Sequence, residues 1–399
     1  MHRLLSLRRR FIHSKKKPSG LLSLEINYLL VRLASAMVSG FGVIYLYNLG
    51  VDFRSGLLWI LAFYIGQRLV VAGSLNKLAI LVQKIGYRKL MLVSVVLMAL
   101  KLWFLSISSV ANWGYLVGAF VVGGLSLAGY TIVFHGMFLD DNDDEKIGEQ
   151  MGTITTLGRM AGIIAPFFAG LLIEQFGFSV MFLVAMMLLL VSSVPLWMMP
   201  KHKHKKNSYS LKKVKKLIGE HKLFSWSVFL WFISDAIQWS IWPIYMYLIL
   251  KSYTVFGAIG SLVMILNSVA VYVSGKMYDK RPLEKVFPAF SLAVAISWVM
   301  RFLSKDIISV ATSDAINRFF SPFWWMKIRR DELGIGEKYD SVVFSVAHEY
   351  IVTFSYIFTL ILSVGLLYLF ERFEVLIIIT VLSTLLASRL LLTDRKKFL

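Results

Sequence analysis

The sequence predicts an all-α integral membrane protein, with 12 transmembrane helices arranged as two pseudo-symmetric six-helix bundles. Three observations carry that expectation. Of the 399 residues, 57% are hydrophobic and 14% aromatic, and the mean hydropathy is +0.69, above the apolar share of soluble domains. Apolar stretches of about 20 residues, long enough to cross ~30 Å of hydrocarbon as a helix, recur along the whole chain. The 43 Lys and Arg residues, set against 23 Asp and Glu, fall in short runs between those stretches rather than in one basic domain. A soluble fold is excluded, and the net charge of +20 points to a membrane rather than to nucleic acid. The chain contains no cysteine, so disulfides, zinc–thiolate sites and thiol nucleophiles are excluded as well.

The first six spans are expected at residues 21–47, 55–78, 89–110, 113–138, 153–173 and 178–199. The second six are expected at 223–250, 255–277, 286–303, 306–327, 341–370 and 373–393. They divide the chain into a basic tail (1–20), a first bundle (21–199), a basic linker (200–222), a second bundle (223–393) and a short tail (394–399). The segments on the side of the N-terminus hold 33 of the 43 Lys and Arg, and the opposite loops hold only Arg54, Lys251, Arg301, Lys305 and Arg372. By the positive-inside rule both termini are cytoplasmic, with the plasma (inner) membrane as the expected location. The first 24 residues lack acids and share their composition with a mitochondrial transit peptide, but the same basic bias in the other inside loops favours a tail lying near anionic headgroups.

Two stretches repeat each other across the halves. After span 2 the chain reads AILVQKIGYRK from Ala79 to Lys89, and after span 8 it reads GKMYDKRPLEK from Gly275 to Lys285. Each sets a small residue four positions before a polar one followed by Lys: Ala79, Gln83 and Lys84, then Gly275, Asp279 and Lys280. This resembles the loop signature G-x-x-x-D-R/K-x-G-R/K-R/K of the major facilitator superfamily. Gly86, Arg88 and Lys89 fit its first copy and Gly275, Asp279 and Lys280 its second, while Gln83 replaces the acid and Pro282 the later glycine. In span 5, Ala161, Ala165, Pro166, Ala169 and Gly170 resemble the superfamily's helix 5 pattern G-x-x-x-G-P-x-x-G-G. Three of its four glycines are alanine here, which keeps close helix packing but not the antiport marker. The resemblance implies two bundles that rock about a midplane site lined by helices 1, 4, 7 and 10.

Ionisable groups deep in a span are costly and so point to a cavity or a relay. Arg32, Arg68 and Lys101 stand near mid-membrane in spans 1 to 3, and Asp235, Asp314, Arg318, His348 and Glu349 stand in the second half. Helical spacing groups Tyr28, Arg32, Ser35 and Ser39 on one face, and Asp314, Asn317, Arg318 and Ser321 on another. Trp231, Asp235, Gln238, Trp239 and Trp242 share a stripe on span 7, and Glu349 shares a face with Ser345, Thr353 and Tyr356. The expected substrate-binding set is Arg32, Arg68, Asp235, Gln238, Trp239, Asp314 and Arg318. Asp314 and Arg318, at i and i+4, could equally neutralise each other. Asp235 and Glu349 have no cation at i±3 or i±4 and are the expected proton carriers. A latch at the cytoplasmic side is expected from Asp140, Asp141 and Glu149 facing loop cations, with Lys84, Arg88, Lys89, Asp279 and Lys280 as further gating residues; a solvated turn is the alternative for the acidic run.

No metal site is expected: DDNDDE lacks the calcium-loop glycine, and the histidines of KHKHKK are flanked by cations. No nucleotide-binding loop, cofactor motif or clustered catalytic constellation is present, so no enzyme is expected. The function implied is a secondary active transporter of a small organic solute, working as a monomer by alternating access with protons as the coupling ion. An anion or zwitterion is the favoured substrate, because three buried cations of the first half lack an acidic partner there. Pairing of Arg32 or Arg68 with Asp235 or Asp314 across the bundles, as a gate, is the opposing reading. The alternative functions are an exporter of lipophilic cationic or neutral drugs and a transport-dead membrane sensor or scaffold.

Overall fold

The computed structural model describes residues 20–140, 147–198, 209–280, 286–336 and 338–393, and among these the regular structure is entirely helical. The helices of the first half are α1 (Gly20–Val38), α2 (Phe41–Tyr47), α3 (Phe53–Ile85), α4 (Tyr87–Ile107), α5 (Gly114–Asp140) and α6 (Ile147–Met198). A short helix α7 (Leu211–Glu220) leads into α8 (Lys222–Ser240), α9 (Trp242–Leu250), α10 (Tyr253–Lys280), α11 (Phe287–Leu303), α12 (Ile307–Gly336), α13 (Ser341–Phe370) and α14 (Leu376–Thr393). The twelve expected spans are all present. Span 1 is α1 followed by α2, span 7 is α8 followed by α9, and spans 5 and 6 form the two arms of α6. Among the described residues eight stretches are long and apolar enough to cross a membrane, which fits an integral membrane protein.

Local chemistry sets the breaks. Asp52 caps α3, accepting from the Ser55 N–H at 2.8 Å, and Asp340 caps α13, accepting from Val342 and Val343 N–H at 3.1 and 3.2 Å. Pro243 lacks the N–H that a continuous helix would need, and span 7 breaks just before it into α8 and α9. Gly86, the one residue between α3 and α4, has φ 80° and ψ 164°, and Gly177 bends α6 at φ 81° and ψ 172°. That region of backbone space is open in practice only to glycine.

Within the halves α1 packs along α6 and α4 lies against α5 and α6, while α8 packs on α13 and α14. Buried small polar groups hold such pairs, as where Asn27 Nδ2 donates to the Ser192 carbonyl at 2.8 Å and Ser234 meets Ser383 at 2.9 Å. The halves meet along α3–α13, α5–α13 and α6–α10. At α6–α10 two glycines permit backbone contact: a Cβ on Gly170 would sit 2.3 Å from the Tyr253 carbonyl oxygen, and one on Gly257 would sit 2.2 Å from that of Pro166. The small-residue stripe of span 5 therefore faces span 8.

The two ends of the molecule differ. At the end away from α7, Glu174 accepts from the N–H groups of Tyr253 and Thr254 at 3.0 Å, Asn48 donates to Tyr253 at 3.1 Å, and Arg54 pairs with Glu371 at 2.8 Å. Phe53 packs edge-on against Phe373 beside them. At the α7 end, Tyr87 meets Ser341 at 3.4 Å between the halves, and Tyr209 OH donates to Asn76 at 2.9 Å.

Candidate functional site

A connected chain of polar groups crosses the middle of the molecule. It starts on α3, where Arg68 donates to Glu349 of α13 at 2.9 Å with both side chains largely buried. The guanidinium lies 4.0 Å over the ring of Tyr356, seven residues along α13 and on the same face as Glu349. Tyr356 OH donates to Asp235 of α8 at 2.7 Å, and Trp239 Nε1 donates to the other oxygen of that carboxylate at 3.1 Å. Arg318 of α12 lies 4.9 Å over the Trp239 ring and 3.9 Å from Asp314.

Asp314 accepts from Trp242 Nε1 at 2.9 Å and from Arg301, which also donates to Gln238. Arg301 is fully buried, with 0% of its side chain exposed, and is sandwiched between the indoles of Trp242 and Trp298. All the expected binding residues except Arg32 belong to this network, together with both expected proton carriers. Two connectors complete it: Tyr356, which stood on the sequence face of Glu349, and Arg301, which the charge count assigns to an outer loop. Arg301 instead sits in the last turn of α11, turned inward. The signal available for it was the apolar run SWVMRFL, which has no turn residue before Ser304.

Arg32 stands apart from the network. Its guanidinium lies 4.8 Å over Tyr28, which stacks on Phe134 at 5.0 Å, and among the described residues no carboxylate comes within ion-pair distance of it. Arg32, Ser35 and Ser39 are exposed, so the polar stripe read on span 1 is an open face. Lys101 points into the first bundle rather than to lipid, its stem against Gly123 of α5 and its ammonium 5.7 Å over Phe63.

A second polar cluster lies toward the α7 end. Glu332 of α12 is buried, accepts from Arg329 at 2.8 Å and touches His348 Nε2 at 2.7 Å, a contact of ion-pair distance without hydrogen-bond alignment. His348 in turn packs edge-on against His135 of the first half, with centroids 5.6 Å apart. His348 and Glu349 thus point to different partners, as their adjacency on a helix requires. The sequence hides Glu332 in the charged run KIRRDELG, which resembles a solvated loop, yet α12 continues through it to Gly336.

Of the expected gating residues, Lys84 and Lys89 are exposed at the ends of α3 and α4, and Arg88 is half-buried between them. The side chains of Asp140, Glu149, Asp279 and Lys280, and the whole of Asp141, lie outside the described residues. Among the described residues no cluster of His, Cys, Asp or Glu could hold a metal ion.

Two helical bundles that meet along paired spans, with a buried polar network in the second tied to the first through Arg68 and Glu349, define a membrane transporter fold. The sequence profile of the Major Facilitator Superfamily matches residues 24–313, and the chain belongs to that superfamily. Its fold is similar to that of the E. coli fucose:proton symporter FucP, with a TM-score of 0.66 at 11% identity over 93% of this chain and 97% of that one. It is also similar to a D-xylose-proton symporter, with a TM-score of 0.70 at 13% identity over 93% and 96% of the chains. A third similar fold is the human organic anion transporter MFSD10 (TETRAN), with a TM-score of 0.67 at 11% identity over 93% and 98%. No curated protein sequence matches the chain significantly.

Proposed function

We propose that this superfamily transporter moves a small organic anion or zwitterion by alternating access, coupled to protons, with the α7 end facing the cytoplasm of a plasma membrane. The observation that carries the reading is the Arg68–Glu349 ion pair, which joins the two halves at mid-depth. A buried ion pair is tolerable as a pair, and loss of one charge leaves the other stranded. Protonation of Glu349 would therefore release Arg68, whose planar fork suits a carboxylate or phosphate. Arg32, exposed and without a described acidic partner, would offer the first half's other contact. Trp239, 39% exposed beside Arg318, would pack the apolar part of the substrate. Asp235, held by Tyr356 beneath Arg68, is the second proton carrier in this scheme. The similar folds of two proton symporters and an organic anion transporter are in keeping with it.

The test is uptake into proteoliposomes from a panel of metabolites, with and without an imposed pH gradient. Glu349→Gln and Asp235→Asn should each lose gradient-driven accumulation while retaining substrate exchange. Arg32→Ala and Arg68→Ala should weaken binding of the anion without loss of expression. Full accumulation by both carboxylate variants would end the proton assignment. Tight binding of a cationic compound that improves in the arginine variants would replace the anion with a lipophilic cation.

A further inference from the structure

The amphipathic helix α7 covers one side of an apolar groove that the transport network does not use. Its Val214 and Leu217 are buried and Ile218 half-buried, at i, i+3 and i+4, while Lys212, Lys213 and Lys216 are exposed away from the groove and Lys215 is exposed at its rim. Between α7, α8 and α13 lies a cavity of about 520 Å³, within the ~300–1,000 Å³ range of small-molecule sites. Its deeper walls are Ile218, Phe229 and Ile351. Trp226 and Phe354, which also line it, are 57% and 58% exposed and face outward where hydrocarbon surrounds the bundle. Lys215 and Lys222 stand among the lining residues as exposed cations.

We infer that this groove holds one anionic phospholipid from the leaflet at the α7 end. The phosphate sits between Lys215 and Lys222, and an acyl chain lies between α8 and α13. The occupant follows from charge and from position. Residues 211–222 carry five lysines against Glu220 alone, so the site excludes cationic guests and favours an anionic head. The walls offer no polar group below Ser225 and Tyr350, so the guest needs a long apolar tail. A helix with a lysine-rich face and an apolar face lies in the plane of the membrane interface, which puts the groove at headgroup depth. The strap formed by α7 also reaches both halves: Tyr209, just before it, bonds Asn76 of α3, and Glu220 and His221, at its end, bond Tyr339 at 2.9 and 3.0 Å. A lipid seated beneath α7 thus holds the strap to the second bundle.

The inference does not depend on what the protein transports, and its readout is bound lipid rather than uptake. The purified full-length protein, in detergent with equal amounts of phosphatidylglycerol and phosphatidylcholine, is examined by native mass spectrometry. One retained phosphatidylglycerol is expected. Lys215→Gln with Lys222→Gln should lower the preference about 30-fold, the size expected for two charges at a headgroup. Lys212→Gln with Lys216→Gln, which removes equal charge from α7 outside the groove, should leave it unchanged. Ile351→Trp, which fills the tail slot and keeps every charge, should also release the lipid, with melting temperature and helicity reporting that the fold is intact. Equal losses in the two lysine pairs, retention of lipid by Ile351→Trp, or equal binding of tail-less glycerophosphate would each overturn the inference.

Discussion

Asp314 is contacted by two guanidiniums and an indole N–H, so the buried centre of the second bundle is built around one carboxylate. Arg301→Ala should remove about 3–5 kcal/mol of stability, the usual result of stranding one member of a buried pair, and lower the detergent melting midpoint read from intrinsic fluorescence. Arg301→Lys should recover little of this, because a point charge cannot serve Asp314 and Gln238 together while stacked between two indoles. Adding Asp314→Leu to Arg301→Ala should regain part of the loss, since no unpaired carboxylate then remains. At this scale the sequence was informative wherever a charge interrupts an apolar span, which marked Arg68, Asp235, Asp314 and Glu349 as candidates while leaving open whether they bind, gate or neutralise one another. It was silent on who meets whom: the Arg68 and Glu349 partners are 281 residues apart, and no helical spacing links them. Arg301 was hidden by its place near the end of a short span, where a cation is ordinarily a loop residue.

The helices owe their ends to a few residues that the sequence displays and to others that only backbone geometry explains. Gly86→Ala and Gly177→Ala should each cost about 1–3 kcal/mol, because both sites need a conformation that a Cβ opposes, and the same melting assay reads the loss. Gly170→Leu should act differently. Its side chain would meet the Tyr253 backbone, so α6 and α10 must separate while each bundle keeps its own packing. The small residues of span 5 announced close packing, but only the structure names α10 as the neighbour. The lysine run after residue 210 gives the opposite lesson. Charge density placed it within a basic linker, although Val214, Leu217 and Ile218 carry the spacing of a helix with one apolar face.

At the scale of the molecule the twelve spans and the two halves were legible because hydrocarbon thickness fixes helix length, and because irregular backbone is not tolerated in lipid. Orientation is open to direct test in this cysteine-free chain. Cysteines placed at Ser19 or Ser208 should resist impermeant thiol reagents in intact cells, and one at Ser109 should react. Closure at the end away from α7 is equally testable, since Arg54 and Glu371 touch there from opposite halves. A flexible bifunctional thiol cross-linker between Arg54→Cys and Glu371→Cys should form readily and stop solute exchange, whereas either single variant should exchange normally. Gly170→Leu should slow that cross-link. The helical form of α7 has a mechanical consequence. Its 10 residues span ~15 Å as a helix, where an extended strand of the same length would reach ~33 Å, so this part of the covalent tether between the bundles is held at about half its contour. Any event that unwinds α7 therefore adds about 18 Å of reach to the tether at this end.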